Sequence, residues 1–197
     1  MSARREELTR IAARLFAEQG YQGTSLADLA DALGVQKPSL YHHIAAKEDL
    51  LWEVAWEGAT AFHEALDAVP AAAPAAERIR LALRGHLSVV AGQLDIATVF
   101  VREWRYLEGA RHDQFVAERR RYEERIRELF REGVEGSQLR TDLDVSTAAL
   151  LFLSAANWAY TWLRPGADTD QLADRLYLAL LDGMRGYATP GVRPEGR

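Results

Sequence analysis

The sequence predicts an all-α protein of about nine helices, with a short three-helix N-terminal head and a larger helical-bundle body. Three observations lead there. Apolar residues recur at i, i+3, i+4 and i+7, glycine and proline fall at the breaks, and no alternating run of β-branched residues occurs. At 197 residues with 48% apolar content, the chain is long enough to bury a real core.

Taken in order, Ser2 caps a first helix running to about Gln19, where Gly20 stops it. Its apolar stripe is Leu8, Ile11, Ala12, Leu15 and Phe16. Thr24 caps a short second helix over 25–33, closed by Gly34, and a third runs from about Gln36 to Ile44. Lys47 opens a long fourth helix that ends near Val69, and the stretch from Pro70 to Pro74 (PAAAP) breaks the chain. Five more helices are expected at roughly 75–91, 94–108, 111–135, 144–163 and 168–187, punctuated by Gly109, Gly133 to Gly136, and Pro165-Gly166. The expected organisation is a head over 1–46, a body over 47–190 and a frayed tail over 191–197.

Composition narrows the function. With no cysteine, disulfides, thiolate metal sites and cysteine nucleophiles are excluded, and a cytoplasmic location fits. Metal-ligand spacing, a glycine-rich phosphate loop and a nucleophile elbow are all missing, so no enzyme, metal site or cofactor is expected. The run Val145 to Leu163 is uncharged and long enough to cross a bilayer, but it carries Ser146, Thr147, Ser154, Asn157 and Thr161. It reads as a helix buried inside a helical protein, and no membrane partner is expected. Net charge is −5, and residues 1–50 hold 6 basic against 7 acidic groups, so charge does not advertise a nucleic-acid partner. The only two lysines, Lys37 and Lys47, nevertheless fall in the most informative segment.

That segment, TSLADLADALGVQKPSLYHHIAAKEDL from Thr24 to Leu50, has the layout of a helix-turn-helix. Leu26, Leu29, Ala30 and Leu33 form an inward stripe, continued past Gly34 by Val35, Leu40 and Ile44. In this arrangement the second helix enters the DNA major groove with its N-terminal residues at base edges. Gln36, Lys37, Pro38 and Ser39 occupy that position. Thr24 and Ser25 offer hydroxyls and free N–H groups at a helix start, Lys47 does the same at the next, and Tyr41 and His42 can donate to phosphates. His43 reads as a packed histidine, and Tyr21 as a spacer or a phosphate contact.

The stretch AARLFAEQGYQGTSLADLADALGVQKPSLYHHIAAKEDLL resembles the TetR family of repressors. Phe16, Gly20, Tyr21, Thr24, Leu29, Ala30, Gly34, Val35, Leu40, Tyr41, His43, Lys47 and Leu50 match the family pattern; Ile44 departs from it where phenylalanine is usual. The resemblance implies a homodimer that binds a palindromic double-stranded operator, releases it when a small effector occupies the body, and pairs through the last two helices. Independently, those helices are rich in leucine and small residues: Ala148, Leu151, Phe152 and Ala155, then Leu172, Leu176, Leu180, Leu181 and Met184. They serve either a dimer seam or the chain's own core. A helical adaptor without DNA binding, or an activator of the same fold, are the rival readings; loss of Thr24, Tyr41 and Lys47 would mark the former, and all three are present.

An effector pocket needs an apolar lining with a few polar groups. Phe62, His63 and Leu66 on the fourth helix, His86, Leu87 and Val90 with Leu83 on the fifth, and Phe100, Glu103 and Trp104 on the sixth are candidates. Asn157, Trp158, Thr161, Trp162 and Arg164 add a polar and aromatic stretch. Glu103 is either a pocket group or an arginine's partner, and His86 either a core histidine or a ligand contact. FVREWRYL, with the string from Asn157-Trp158 through Trp162 to Arg164-Pro165-Gly166, resembles a narrower TetR subgroup that responds to acyl-coenzyme A thioesters. Arg102, Arg105, Arg164 or the run Arg119-Arg120-Arg121 would meet the phosphates. Glu118, Glu123 and Glu124 surround that run, and it reads better as a solvated helix face.

Overall fold

The computed structural model describes residues 3–164 and 166–184, the last four by backbone alone. Among the described residues there are nine α-helices and no strand, as the periodicity predicts. They are α1 (Ala3–Gln19), α2 (Leu26–Leu33), α3 (Lys37–Leu40), α4 (Lys47–Asp67), α5 (Ala75–Gly92), α6 (Leu94–Arg102), α7 (Gly109–Glu135), α8 (Val145–Asn157) and α9 (Thr169–Met184). The Ser2 cap, Pro165, the tail 191–197 and the side chains of Leu181 and Met184 lie outside the described residues.

The head is a three-helix unit around Leu8, Ala12, Leu15, Phe16, Leu29, Ala30, Leu33, Leu40 and Ile44, all buried. Its second helix starts one residue later than the expected cap. Ser25, not Thr24, is the cap: its hydroxyl accepts from the Asp28 N–H at 3.1 Å while the Asp28 carboxylate accepts from the Ser25 N–H at 2.7 Å. This reciprocal pair satisfies two donors that a helix start leaves open. Gly34 ends α2 in the left-handed region at φ 71°, which a side chain would strain, and its N–H returns to Ala30 and Asp31.

The third helix is shorter than expected. Regular α-helix stops at Leu40, because the His42 and His43 N–H groups bond three residues back, to the carbonyls of Ser39 (3.3 Å) and Leu40 (2.8 Å). The tightened coil turns the chain into α4, whose entry is fixed by Asp49, accepting from Ala45 and Ala46 at 2.8 and 2.9 Å.

In the body, α4 and α6 pass so closely at Gly58 that a Cβ there would lie 2.9 Å from Phe100 Cβ. Two helices end before their expected limits. α6 gives way after Arg102 to a 3-10 turn, Trp104–Tyr106, and α8 ends at Asn157 in a second one, Trp158–Thr161. The uncharged run 145–163 is therefore not one continuous α-helix. No helix among the described residues is long and apolar enough to cross a membrane.

Head and body are joined by packing and by polar ties. α1 packs on α4 and α6. Arg5 ion-pairs with Glu53 on α4, and the Thr9 hydroxyl is within hydrogen-bond distance of the Glu53 carboxylate (2.9 Å) and the Arg5 carbonyl (3.0 Å).

Candidate functional site

The helix-turn-helix carries an exposed polar face. Ser25, Gln36, Lys37, Pro38, Tyr41 and His42 are exposed, Ser39 is half-buried, and Leu40 beneath them is fully buried. Gln36 is the N-cap of α3, so Lys37, Pro38 and Ser39 form its first turn. This is the end a recognition helix presents to base edges.

Two residues expected on that face point inward instead. The Thr24 hydroxyl is buried against the Gly20 and Leu15 carbonyls, at 2.9 and 3.2 Å. The Lys47 ammonium donates to the Tyr21 and Thr24 carbonyls, at 2.6 and 2.7 Å, and lies 4.1 Å from the Tyr21 ring centroid. Burial pushes its pKa below the usual lysine value. The loop after Gly20 exposes carbonyls that need donors, and these two side chains supply them. Both side chains hold the turn.

The body holds an aromatic cluster where α4, α5, α6 and α7 meet. Phe62 lies 4.4 Å from the His86 ring, 4.7 Å from Phe100 and 6.2 Å from Tyr122, and Phe100 lies 5.5 Å from Phe115. Leu87 and Val90 belong to the same buried core. His86 Nδ1 is 3.0 Å from the Tyr122 hydroxyl, and burial lowers the His86 pKa to about 3. Beside the cluster lies a recess of about 10 Å³ lined by Phe100, Arg119, Tyr122, Glu123, Leu153 and Asn157. Four of these residues also line a cleft of about 460 Å³ between α7 and α8, together with Val101, Arg127, Leu150, Ser154 and Trp158.

Arg119 stands at the junction of recess and cleft. Its guanidinium lies 5.3 Å from the Phe100 ring and 5.1 Å from Trp104, and donates to the Phe100 carbonyl at 3.4 Å. Burial lowers its pKa. Of the arginine run, Arg120 and Arg121 are the exposed pair, and Arg121 meets Glu118 at 2.8 Å. Arg102, Arg105 and Arg164 are exposed and line neither cavity.

The expected pocket residues thus divide. Phe62, His86 and Phe100 meet in the cluster, and Asn157 and Trp158 at the cleft, with Trp104 reached through Arg119. His63 turns toward Glu118, whose carbonyl and carboxylate each lie at 3.3 Å. Leu66 lines a separate cleft with Arg78 and Arg125. Thr161, Trp162 and Arg164 face outward, because the 3-10 turn after Asn157 rotates the stripe off the helix line. Tyr122, Phe115 and Leu153 were not named from the sequence. The spacing Phe115, Arg119, Tyr122, Ile126 marks the first two as one face of α7; Leu153 lies on α8.

Glu103 belongs to neither pocket. Buried at 5% exposure, its carboxylate accepts from the Tyr21 N–H at 2.8 Å, with Arg102 at 3.7 Å on its other oxygen. Tyr21 also stacks on Tyr106 at 5.6 Å. Nearby, Arg111 donates to Asp49 at 2.7 Å and the Glu108 N–H to Glu48 at 3.1 Å. Residues 103–111 therefore grip both the end of α1 and the start of α4.

On α8 and α9 and the turn between them, Leu150, Leu151, Trp158, Trp162 and Leu178 are exposed. Of the proposed seam residues, Ala148 and Phe152 are buried in the chain's own core, Leu151 is exposed, and Ala155, Leu172, Leu176 and Leu180 are partly buried.

Comparisons with known proteins show which family the chain belongs to. Residues 8–54 match the family model described as bacterial regulatory proteins, tetR family, and residues 72–184 match that described as tetracyclin repressor-like, C-terminal domain. The HTH-type transcriptional repressor KstR2 of Mycobacterium tuberculosis is 28% identical, covering 100% of this chain and 96% of its own. Among solved structures, the TetR family regulator PfmR of Thermus thermophilus is 30% identical with a TM-score of 0.84, covering 94% of this chain and 100% of its own. AibR, solved with isovaleryl coenzyme A and operator DNA, is 30% identical with a TM-score of 0.82, over 90% of this chain and 98% of its own.

Proposed function

This chain belongs to the TetR family of bacterial regulatory proteins, DNA-binding transcription regulators rather than enzymes, and from that premise we propose a dimeric repressor released from its operator by an acyl-coenzyme A thioester. One observation carries the effector class: a cleft with Arg119 and Arg127 on its walls adjoins a closed aromatic cluster. A coenzyme A ester has matching parts, an apolar acyl group and several phosphates, and guanidinium groups suit phosphates by their fork of donors. That AibR was solved with isovaleryl coenzyme A supports the same class.

The exposed leucines of α8 and α9 supply the dimer seam, since contiguous exposed apolar surface marks an interface. Two heads then reach successive major grooves about 34–36 Å apart, on DNA in the cytoplasm. Gln36, Lys37, Pro38 and Ser39 read base edges, and Ser25, Tyr41 and His42 position the backbone.

The switch follows from the joint. α4 spans 21 residues, a lever of about 32 Å, with Phe62 near its far end and Lys47 at the head. The recess is too small for an acyl group, so binding there moves its walls: Phe100, which packs on Phe62 of α4, or Arg119 with its neighbour Trp104. Trp104 adjoins Glu103, so either movement reaches the ties to Tyr21. The effector therefore favours a second spacing of the heads, with a coupling of about 1–3 kcal/mol.

Calorimetry with isovaleryl-coenzyme A, isovalerate and coenzyme A tests the effector class. The thioester is expected to bind at one site per chain, more tightly than either fragment. Equal binding of the free acid would remove coenzyme A from the account.

A further inference from the structure

Tyr122 and His86 form a polar pair inside the aromatic cluster whose hydrogen-bonding capacity is half used. His86 is 1% exposed, its Nδ1 faces the Tyr122 hydroxyl, and its Nε2 has no hydrogen-bond partner among the described residues. Burial keeps the imidazole neutral near pH 7, so it carries one proton and has two tautomers. With the proton on Nε2, a buried N–H is orphaned, which folded proteins rarely tolerate. With the proton on Nδ1, His86 donates to the Tyr122 oxygen, and only a lone pair on Nε2 stays unfilled. The second tautomer is the less costly, and it leaves the Tyr122 hydroxyl hydrogen free to be donated.

Tyr122 is a wall of the recess beside Arg119 and Asn157. At about 10 Å³, that recess has room for about one small group. Phe100 and Leu153 among its other walls offer no side-chain acceptor; Glu123 and Asn157 carry acceptors, and no hydrogen bond joins either to Tyr122 among the described residues. A Tyr122 hydroxyl hydrogen turned from His86 into so small a space would select an acceptor atom rather than a chain.

We propose that Tyr122, oriented by His86, is the hydrogen-bond donor that recognises a carbonyl oxygen of the effector. Tyr122 is the binding residue and His86 the positioning one. The inference rests on the acyl-coenzyme A reading and deepens it: the effector is selected for a carbonyl, either that of the thioester or a ketone further along the chain.

Three coenzyme A compounds separate these sources: isovaleryl-coenzyme A; its thioether counterpart without a carbonyl, S-(3-methylbutyl)-coenzyme A; and S-(3-oxobutyl)-coenzyme A, with a ketone two carbons further out. Calorimetry on the full chain should show at least one carbonyl compound binding about tenfold tighter than the plain thioether. In Tyr122→Phe that advantage should fall to about one, with thioether affinity unchanged. His86→Leu should lower it, while His86→Gln, whose amide still donates to Tyr122, should keep more of it. The compound whose advantage depends on Tyr122 identifies the oxygen. Wild-type ratios near one for both carbonyl compounds, or ratios unchanged in Tyr122→Phe, would overturn this inference alone. If wild type binds none of the three compounds, the acyl-coenzyme A reading falls and this inference with it. Should Tyr122→Phe fail to fold, the wild-type ratios and the two His86 variants decide.

Discussion

The head and the body spend their buried polar groups differently. In the head, the buried Thr9 and Thr24 both find partners, and the half-buried Lys47 at the start of α4 serves the same loop, while in the body the buried His63, Thr98 and Glu103 are partnered too. Among the described residues, three buried side-chain nitrogens lack a partner, on Arg78, His86 and Trp104, and all three lie in the body. Space divides less sharply: the helix-turn-helix closes on a filled core and the recess and the cleft between α7 and α8 lie in the body, but clefts of about 550 and 670 Å³ open along α1, where it meets α4 and the α5–α6 turn. A module that must present one outer surface to a repeating DNA groove is best served by rigidity. A module that must respond to a small molecule keeps unpaired donors and movable rings, at a cost in stability.

The largest effect that can break this comparison is in the head. Lys47→Ala leaves two carbonyls of the loop after Gly20 without their charged donor and is expected to destabilise the protein by about 2–3 kcal/mol in urea unfolding. Because the ammonium faces inward, the salt slope of DNA binding should change little. A fall in slope by about one would return Lys47 to the phosphate backbone.

The next effect lies in the body and depends on pH. The folded-state pKa of His86 is depressed to about 3, so the unfolded chain binds the extra proton first. Stability is therefore complete above the unfolded value near 6.5 and is lost as pH falls toward 3. At roughly 1.4 kcal/mol per pH unit, wild type should lose about 2 kcal/mol more than His86→Phe between pH 6.5 and 5. Parallel stability curves for the two would mean that His86 is hydrated or paired.

Gly58→Ala tests the closeness of α4 and α6. Its Cβ would press on Phe100, with an expected loss of about 1–2 kcal/mol in chemical denaturation. An unchanged midpoint would show that the lever has slack. The smallest stability effect is at Lys37, which is exposed: Lys37→Ala should change stability by less than about 0.5 kcal/mol. It should instead alter base preference when operator variants are compared by fluorescence anisotropy. Equal losses on operator and random DNA would assign it to a phosphate.

How much of this was legible in sequence follows the same divide. The head is built from local signals. Capping, the turn glycine and the stripe Leu29, Leu33, Leu40 all act within a few residues, so its fold and exposed face could be read directly. One of its differences was local: Thr24 and Ser25 are adjacent hydroxyls, and Asp28 stands three residues after Ser25, the spacing that selects the true cap; the other, Lys47, depends on carbonyls 23 and 26 residues back. The body depends on partners far along the chain. Glu103 is visible on an apolar stripe, but its donor, the Tyr21 N–H, lies 82 residues away. Arg119 stands out in the sequence only as part of the run Arg119-Arg120-Arg121, and the acidic residues around that run favour a solvated face on local grounds. Thr161, Trp162 and Arg164 were placed by assuming an unbroken helix, and the 3-10 turn after Asn157 removes that premise.

The joint between the two regions carries the central claim, that occupancy of the body changes the affinity of the head. Glu103→Ala should weaken that linkage while leaving each affinity near normal. The most direct measurement is operator affinity with and without a saturating amount of the tightest-binding acyl-coenzyme A, paired with ligand affinity with and without operator. A 5- to 150-fold loss of operator affinity is expected, with an equal loss of ligand affinity when DNA is bound. Two tight but independent affinities would contradict it.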